Sequence, residues 1–243
     1  MYDVVGRVIA PLLSATAALT FCGCLAAGPA LAQTPPDSCS PPKISVRALL
    51  LPPPGQGSAE TVAELHELQH LQNTRTLGQA KHALGDHDQS VPRFLGEIGI
   101  KLQKLPTFAD DFFRRVAEVT KDEIEDAKKS FRRKRPYKLP HNHLRPLKKV
   151  GEHDSYSYPS GHAAYGMAIG LILARMLPEK REAILARIKD YGYSRLVSGV
   201  HFRSDVYAGE VVGGAIAEAL FHDQVCRESF ERAKAALREA AGF

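Results

Sequence analysis

The chain has 243 residues, of which 44% are hydrophobic and 24% are charged. This composition is typical of a folded globular protein with one sizeable core, and it excludes a disordered chain. The formal net charge of +5 favours anionic ligands of several kinds without selecting among them. The positions of individual residues must decide which anion is bound.

The N-terminal segment has the pattern of a secretory leader. Arg7 precedes an apolar run over residues 8–31, and the run ends in the small residues of a signal-peptidase site. We therefore predict a signal peptide over residues 1–32, cleavage after Ala32 and export of the remaining chain. No stable membrane insertion is expected after cleavage.

Two other interpretations of the leader remain open. An uncleaved membrane anchor is one, although Pro11 and Pro29 interrupt the apolar run. A lipoprotein is the other, because Cys24 follows Gly23, although the residues before this cysteine do not form a lipobox. The cleavage pattern favours export with removal of the leader.

The mature chain would retain two of the four cysteines, Cys39 and Cys226. In an oxidising compartment such a pair is more often bridged than free, so we predict a disulfide between them. Two buried free thiols are the alternative. A bridge would close a loop of most of the mature chain, which can stabilise a fold by up to about 5 kcal/mol.

Helical periodicity dominates the sequence after a proline-rich start. Residues 33–57 predict an extended arm laid over the surface. Beyond them no stretch alternates like a strand for long, and the apolar stretches are too short to span a bilayer. We therefore predict one all-α domain, a compact helical bundle, over residues 58–243. The first predicted helix begins near 58–61 and carries Leu65, Leu68, Leu71 and later Leu77 at helical spacing. The next helices are predicted over 91–104, from an N-cap at Thr107 to Lys134, over 160–177 and over 178–193. Another is predicted from Ser204 or Asp205 to Phe221, and a last helix closes the chain.

Two cationic side chains lie near the end of the longest predicted helix. Lys128 and Arg135 are seven residues apart, which places both on one helical face about 10.5 Å apart along the axis. From there both could reach one anion. A solvated basic face is the simpler interpretation of this lysine- and arginine-rich run when it is taken alone.

A potential anion cradle follows at the start of another predicted helix. Ser160 and Gly161 would supply a hydroxyl, free backbone N–H groups and room for close approach, and His162 adds a titratable imidazole. A serine-capped helix with an incidental histidine is the alternative.

The stretch SRLVSGVHFRSD, residues 194–205, supplies a third group. Arg195 offers a planar guanidinium that can bind two phosphate oxygens at once. His201 and Asp205 are four residues apart, so the carboxylate can hold the proton of one ring nitrogen and leave the other bare. A bare, oriented imidazole nitrogen is a nucleophile.

Together these residues have the chemistry that phosphoryl transfer requires. We predict that Lys128, Arg135 and Arg195 clamp the phosphoryl oxygens, with Ser160 and Gly161 as further donors. His201 would be the nucleophile, Asp205 its orienting carboxylate and His162 the general acid. Because His162 must be protonated while His201 must not, we expect a mildly acidic pH optimum.

With these residues the chain resembles a known family. Its segments K-x6-R-P (128–136), P-S-G-H (159–162) and S-R-x5-H-x3-D (194–205) resemble the three-part signature of the type 2 phosphatidic acid phosphatase superfamily, in the same order. The flanking LLPPPGQGS and YGYSRLVSGVH, with the leader, are similar to bacterial class A non-specific acid phosphatases.

The resemblance implies an all-α fold of the type shared by these phosphatases and the vanadium haloperoxidases. It further implies a phosphohistidine intermediate on His201, a periplasmic location, no metal or other cofactor, and often a homodimer. The implied activity is broad hydrolysis of small phosphate monoesters, sometimes with phosphate transfer to alcohols. We expect the leaving group to be recognised by residues 137–158 and by the proline arm.

The chain departs from the family pattern at three positions. Ala163 stands where threonine is common, Phe202 where tryptophan is frequent, and Ser198 where many members carry cysteine. These differences put the substrate preference and the usual disulfide in doubt, whereas the predicted catalytic residues are unchanged.

Two short motifs suggest other chemistry. Residues 66–70, HELQH, match the H-E-x-x-H helix of zinc peptidases, but Asn73 and Thr76 stand where a metzincin needs glycine and histidine. We interpret this segment as the polar face of an amphipathic helix. The HNH tripeptide at 141–143 is contiguous, whereas the nuclease motif of that name is spaced.

Three other functions remain to be weighed against a phosphatase. A vanadate-binding haloperoxidase would use a similar pocket with His201 as a metal ligand, but the mature chain is short for such an enzyme. An integral-membrane lipid phosphatase needs several spanning helices. A non-catalytic exported protein that binds polyanions through residues 128–149 would not need the two histidines, and its binding would weaken steeply with salt. We expect no nucleic-acid partner.

Overall fold

Helices form the regular structure of the described residues. The computed structural model describes Cys39 and residues 42–141, 143–148 and 156–243, so the predicted leader lies outside the described residues. No strand occurs in these ranges, and none of their helices has the length and hydropathy needed to cross a membrane. The helices are α1 (Val46–Leu49), α2 (Ala59–Thr74), α3 (Leu77–Gly85), α4 (Val91–Glu97), α5 (Thr107–Phe131), α6 (Gly161–Met176), α7 (Arg181–Val197), α8 (Arg203–His222) and α9 (Gln224–Ala241).

The end of α5 differs from the prediction. This helix ends at Phe131, because Arg132 adopts a left-handed conformation with φ of 52°, and Arg135 lies in extended backbone before a 3-10 turn over Pro136–Lys138. Lys128 and Arg135 therefore do not share a helical face. Proline disfavours helical backbone at the preceding residue, and the chain turns out of the helix three residues before Arg135.

Other helix boundaries also shift. Pro106, and not Thr107, occupies the N-cap of α5, and α4 ends at Glu97 rather than near 104. Leu77 begins a separate helix and is 91% exposed, so it does not continue the apolar face of α2. The capping box of α3, in which the Thr76 hydroxyl accepts a hydrogen bond from the Gln79 backbone, explains the break.

Helix α6 lies at the centre of the domain. It is apolar around most of its circumference and packs against α5, α7 and α8. Its buried residues join the largest core cluster, which includes Phe94, Phe112, Ile169 and Leu173. A buried central helix has little freedom to shift, so the residues at its N-terminus occupy fixed positions.

Glycines allow α8 to approach α6 closely. A Cβ atom at Gly209 would lie 2.3 Å from the Ser160 carbonyl oxygen, and one at Gly213 would lie 2.2 Å from that of Ala164. Any larger residue would push the helices apart. This contact brings the N-terminus of α6 beside Asp205 in the first turn of α8, and the Ser160 amide donates a hydrogen bond to the Asp205 carbonyl at 2.9 Å.

The N-terminal arm is anchored to the domain at several points. Cys39 and Cys226 form a disulfide, as predicted from the cysteine count. The described residues 42–57 contain the one-turn helix α1, and Val46 and Leu50 are buried beside Ile124. This part of the arm therefore contributes to the core, which differs from the expectation of an extended surface segment.

Candidate active site

One cavity collects most of the residues that the sequence singled out. It has a volume of about 420 Å³ and lies between α5, the N-terminus of α6 and the C-terminal end of α7. Six of the eight residues predicted to bind phosphate or catalyse its transfer line it: Lys128, Arg135, Gly161, His162, Arg195 and His201. The other two, Ser160 and Asp205, are fully buried directly behind this lining.

His201 presents one ring nitrogen to a carboxylate and the other to a cation. Its Nδ1 lies 3.4 Å from Oδ2 of Asp205, and its Nε2 lies 2.9 Å from Nη1 of Arg135. A guanidinium can only donate, so Nε2 must carry the lone pair and Nδ1 the proton. Burial, and then the charges of Arg135 and Arg195, lower the pKa of His201 well below its ordinary value. The imidazole is therefore neutral, with Nε2 bare.

Asp205 is held by more partners than the sequence predicted. Its Oδ1 accepts a hydrogen bond from Nη1 of Arg133 at 2.7 Å, and its Oδ2 accepts from the Phe202 amide at 2.8 Å and from the Ser157 hydroxyl. Burial raises the pKa of Asp205, and the charge of Arg133 opposes that shift. Arg133 also donates to Oε2 of Glu64 at 2.9 Å, so the guanidinium lies between two carboxylates.

Sequence reasoning missed Arg133 and Ser157. Arg133 lies within the basic run at 128–136, where nothing distinguishes it from its neighbours, and Ser157 lies two residues before the P-S-G-H segment. A fully buried carboxylate such as Asp205 needs a cationic partner, and this requirement could have indicated that an arginine or lysine lies beside it. It did not indicate which of the nearby arginines would supply the charge.

The three predicted clamp cations are all buried at the cavity. Lys128 places Nζ 3.1 Å from Oε1 of Glu125, and Arg135 donates to the Val200 carbonyl at 3.0 Å. Nε and Nη1 of Arg195 are buried without an acceptor in the described part of the chain. Burial lowers the pKa of Arg195 to about 10, which still leaves it charged near neutral pH. A buried guanidinium with unsatisfied donors is suited to bind an anion.

The N-terminus of α6 completes the anion-binding side of the cavity. Ser160 is the N-cap of this helix, and its hydroxyl accepts a long hydrogen bond from the Ala163 amide at 3.4 Å. Gly161, the first residue of the helix, lines the cavity, and a Cβ atom there would contact Ile124 at 3.4 Å. Free N–H groups at a helix N-terminus favour bound anions.

His162, the second residue of α6, also lines the cavity and is held differently from His201. Its Nε2 lies 2.7 Å from the backbone carbonyl oxygen of His87, so this nitrogen donates a proton to the carbonyl. Burial and then the charge of Arg195 lower the pKa of His162 well below its ordinary value, while the carbonyl acts in the opposite direction. Protonation of His162 therefore requires a negative charge nearby.

Recognition of the leaving group by residues 137–158 and the proline arm stays a prediction, since residues 142 and 149–155 lie outside the described residues. Part of the cavity wall lies beyond the predicted phosphate-binding residues. In the described part of the chain it comes from α5 and the α3–α4 loop, and no residue of 137–158 or of the proline arm belongs to it. The described prolines at 52–54 instead line a separate cavity with Arg132 and Lys134. The α3–α4 loop contributes His87, Asp88 and Gln89 to the wall, and α5 contributes Lys121 and Glu125.

The three departures from the family pattern lie next to the site. Phe202 is buried beneath Arg133, whose guanidinium carbon lies 3.9 Å from the ring centroid. Ala163 is buried where α6 meets Gly209, and Ser198 accepts a hydrogen bond from the Leu147 amide at 3.0 Å. The aromatic residue at 202 thus supports the arginine that binds Asp205.

The H-E-x-x-H segment forms part of α2, where its glutamate is paired. Both carboxylate oxygens of Glu67 accept hydrogen bonds from Nε of Arg203 at 3.0 Å, and His66 and His70 are exposed. Neither histidine belongs to a group of metal-ligating side chains in the described residues. The segment is therefore a polar helix face, as we interpreted it. Asn142 of the HNH tripeptide lies outside the described residues.

A helical bundle in which buried cations and two imidazoles line one cavity defines a class of protein, and sequence comparison identifies that class. Residues 117–227 match the PAP2 superfamily. An acid phosphatase of Zymomonas mobilis is 32% identical over 201 residues, which cover 79% of this chain and 75% of that protein. The chain belongs to the PAP2 superfamily, and the resemblance predicted from its sequence is confirmed.

Two further comparisons agree with this assignment. A non-specific acid phosphatase of Salmonella typhimurium is 41% identical over 88 residues, which cover 36% of this chain and 35% of that protein. The crystal structure of a bacterial vanadium-dependent iodoperoxidase matches with a TM-score of 0.53 and 18% identity, over 70% of this chain and 51% of the peroxidase. At that identity the likeness shows a shared fold, and the predicted all-α fold type is confirmed.

Proposed function

We propose that this protein is an acid phosphatase that hydrolyses small phosphate monoesters through a phosphohistidine. The observation that carries the proposal is the arrangement at the 420 Å³ cavity, where a neutral His201 faces three buried cations and His162. The acid phosphatase of Zymomonas mobilis supports the same activity. Broad specificity, phosphate transfer to alcohols and independence from metal ions belong to the proposal.

The first half-reaction transfers the phosphoryl group to His201. Nε2 attacks phosphorus, the bond to the leaving oxygen breaks, and His162 gives that oxygen a proton, so that an alcohol departs. Arg135 leaves Nε2 and binds phosphoryl oxygens together with Arg195 and Lys128. Asp205 stabilises the positive charge that develops on the imidazole ring.

The second half-reaction restores the protein. Water attacks phosphorus, the P–N bond breaks, and His162 takes the proton that the water loses, which returns both histidines to their initial states. An alcohol that replaces water at this step would yield a transferred phosphate ester. The substrate supplies the negative charge that His162 needs in order to hold its proton, because two phosphoryl charges arrive beside it.

The proposal extends to the exported state of the protein. Export with cleavage after Ala32 and a periplasmic location rest on the leader pattern, and the Cys39–Cys226 disulfide is consistent with an oxidising compartment. A homodimer is expected from the family resemblance and stays a prediction.

The test is release of phosphate from p-nitrophenyl phosphate by the mature chain, with and without a chelator. We expect turnover that the chelator leaves unchanged, and acid-labile phosphate on His201 after rapid quenching with labelled substrate. Lys134→Ala, which changes an exposed cation of the same basic run, serves as the control variant. Wild-type turnover in His201→Ala would contradict the proposal, and salt-sensitive polyanion binding without turnover would favour the non-catalytic alternative.

A further inference from the structure

The loop between α3 and α4 forms one wall of the cavity. His87, Asp88 and Gln89 line it, and the backbone carbonyl of His87 is the acceptor for Nε2 of His162. The ring of His87 also lies beside that of His162, with centroids 6.1 Å apart. The orientation of His162 therefore depends on where this loop places one carbonyl group.

Asp86 fixes the start of the loop. Its side chain is completely buried, and its carboxylate binds two arginines from different helices. Arg93 of α4 donates from Nε to Oδ1 at 2.9 Å, and Arg187 of α7 donates from Nη1 to Oδ2 at 3.0 Å and from Nη2 to Oδ1. The Asp86 amide donates to the His82 carbonyl at 3.2 Å, and Nη2 of Arg93 donates to the same carbonyl at 3.2 Å.

This ion cluster is connected with the anion-binding side of the cavity through α7. Arg187 and Arg195 lie eight residues apart on that helix, so one rigid element carries both the anchor of the loop and a clamp cation. Buried ion pairs add little net stability, because desolvation offsets their attraction, but they fix the relative positions of the elements that they join. Burial alone would raise the pKa of Asp86, but Arg187 and Arg93 outweigh it and lower that pKa below its ordinary value.

We propose that Asp86, held by Arg93 and Arg187, is a positioning residue for the general acid. The cluster holds the His87 carbonyl, the carbonyl engages the Nε2 proton of His162, and Nδ1 is left as the nitrogen that exchanges a proton with the leaving oxygen. This inference rests on the proposed phosphatase activity. It adds a role for the α3–α4 loop, which lies outside the three signature segments.

Arg93 is the best position for a test. Its side chain is 30% exposed, whereas those of Asp86 and Arg187 are buried, so its replacement disturbs the core least. Arg93→Ala removes one of the two cations on Asp86, and Arg93→Lys keeps the charge while removing the fork that also reaches the His82 carbonyl. Glu97→Gln is the matched control, because Glu97 pairs with Arg93 at 3.3 Å and does not touch Asp86.

The readout is kcat for two esters that differ in their need for an acid. A dinitrophenolate departs without a proton, whereas the alkoxide of glycerol 2-phosphate needs one. We expect Arg93→Ala to lower kcat for the alkyl ester about tenfold more than for the aryl ester, a fraction of the ~10²–10⁴ that general acids contribute. Arg93→Lys should show the same selectivity to a smaller extent, and Glu97→Gln should show none.

A second readout reports on the imidazole itself. Nitrogen NMR shifts of His162 should indicate a protonated Nε2 in the wild-type protein and a mixture of tautomers in Arg93→Ala. Equal losses for the two esters, an equal effect of Glu97→Gln, or an unchanged tautomer would each overturn the positioning role. If instead His162→Ala itself showed no difference between the esters, the general-acid step of the proposed function would be wrong.

Discussion

His201 is buried and His162 is half-buried, and burial lowers the pKa of both rings, but the two rings face different kinds of acceptor. Nδ1 of His201 faces the carboxylate of Asp205 at 3.4 Å, whereas Nε2 of His162 faces the carbonyl of His87 at 2.7 Å. A carboxylate stabilises an imidazolium strongly, which suits the ring that becomes cationic in the proposed attack on phosphorus. A carbonyl stabilises it weakly, which suits a ring that must give its proton away.

The surroundings of these acceptors follow the same division. Asp205 is bound by Arg133, and Asp86 behind the His87 carbonyl is bound by Arg93 and Arg187. In each case an arginine outside the predicted site balances a buried carboxylate. His201 contacts the carboxylate of Asp205 directly, whereas His162 contacts only the His87 carbonyl, one peptide group away from Asp86. Removing the charge of the carboxylate should therefore affect His201 more strongly than His162.

Replacing each histidine in turn tests most directly whether the two rings have different roles. We expect His201→Ala to lower kcat by on the order of 10⁴-fold or more for every ester, because the covalent route is lost. His162→Ala should lower kcat by ~10²–10⁴ for alkyl esters and much less for dinitrophenyl phosphate. Steady-state kinetics on a series of leaving groups measures this. Parallel losses in the two variants would show that the two rings do not have separate roles.

Removing the arginine behind Asp205 tests the nucleophile side. Arg133→Met leaves a fully buried carboxylate without its cation, and we expect it to lower the free energy of unfolding by about 3–5 kcal/mol. It should also reduce kcat for aryl and alkyl esters alike, because Asp205 then accepts a proton and no longer orients His201.

Lys134→Met is the matched control for Arg133→Met, since Lys134 is exposed and one residue away. Urea unfolding and steady-state kinetics at several pH values give the two measurements. If the Arg133→Met and Lys134→Met proteins were equally stable, Asp205 would have become neutral without any loss in the free energy of unfolding. That result would contradict the proposed need for a cation at Asp205.

Acid should destabilise the protein through both histidines. Their pKa values lie below the ordinary value of about 6.5, so the unfolded chain binds protons there that the native chain does not. The free energy of unfolding should therefore fall as pH decreases below about 6.5, by up to about 1.4 kcal/mol per pH unit for each histidine, until the native pKa is reached. Above about pH 7 both histidines are neutral in the folded and the unfolded chain, so they no longer make the free energy of unfolding depend on pH.

His162→Gln separates the two contributions. Glutamine can still donate to the His87 carbonyl but does not titrate. The unfolded histidine is only half protonated at pH 6.5, so the slope between pH 6.5 and 5.5 should decrease by about 1 kcal/mol per pH unit. Urea unfolding at closely spaced pH values measures this slope. Added inorganic phosphate should also decrease the slope of the wild-type protein, because a bound anion lets His162 hold a proton. Identical slopes in the variant and the wild type would mean that His162 is not buried in neutral form.

The residues that are proposed to contact the phosphoryl group could be predicted from the sequence because their chemistry is local. Ser160 and Gly161 follow from the rules for helix N-termini, and the pair His201 and Asp205 from a spacing of four residues. Arg135 was expected in the cavity for the wrong reason, since the chain leaves α5 at Arg132 and brings Arg135 there from an extended segment.

The residues behind the site could not be predicted, because they depend on contacts far apart in the sequence. Arg133 meets Asp205 because α5 and α8 pack together beside α6, and Asp86 meets Arg187 because α3 packs on α7. Neither pair has a spacing that a local rule could recognise. The need to balance a buried charge is general, but the partner is decided by tertiary packing.

The smallest expected effect concerns the release of phosphate. Oε1 of Glu125 lies 3.1 Å from Nζ of Lys128, and both residues line the cavity. If Lys128 binds phosphate as proposed, the phosphate must compete with this carboxylate. Glu125→Gln removes the competing charge. We expect it to lower the inhibition constant of inorganic phosphate by roughly three- to tenfold, which corresponds to about 1 kcal/mol for a partly exposed charge pair.

Asp126→Asn is the control for this variant, because it removes the same charge one residue away, where Asp126 pairs with Lys129 on the exposed face of α5 at 3.3 Å. Competitive inhibition by phosphate at constant ionic strength measures the effect. A general change in surface charge would lower the inhibition constant equally in both variants, whereas competition at the clamp predicts a change in Glu125→Gln alone. Glu125→Gln removes the carboxylate that helps to displace phosphate from Lys128. If product release limits turnover, Glu125→Gln should therefore also lower kcat.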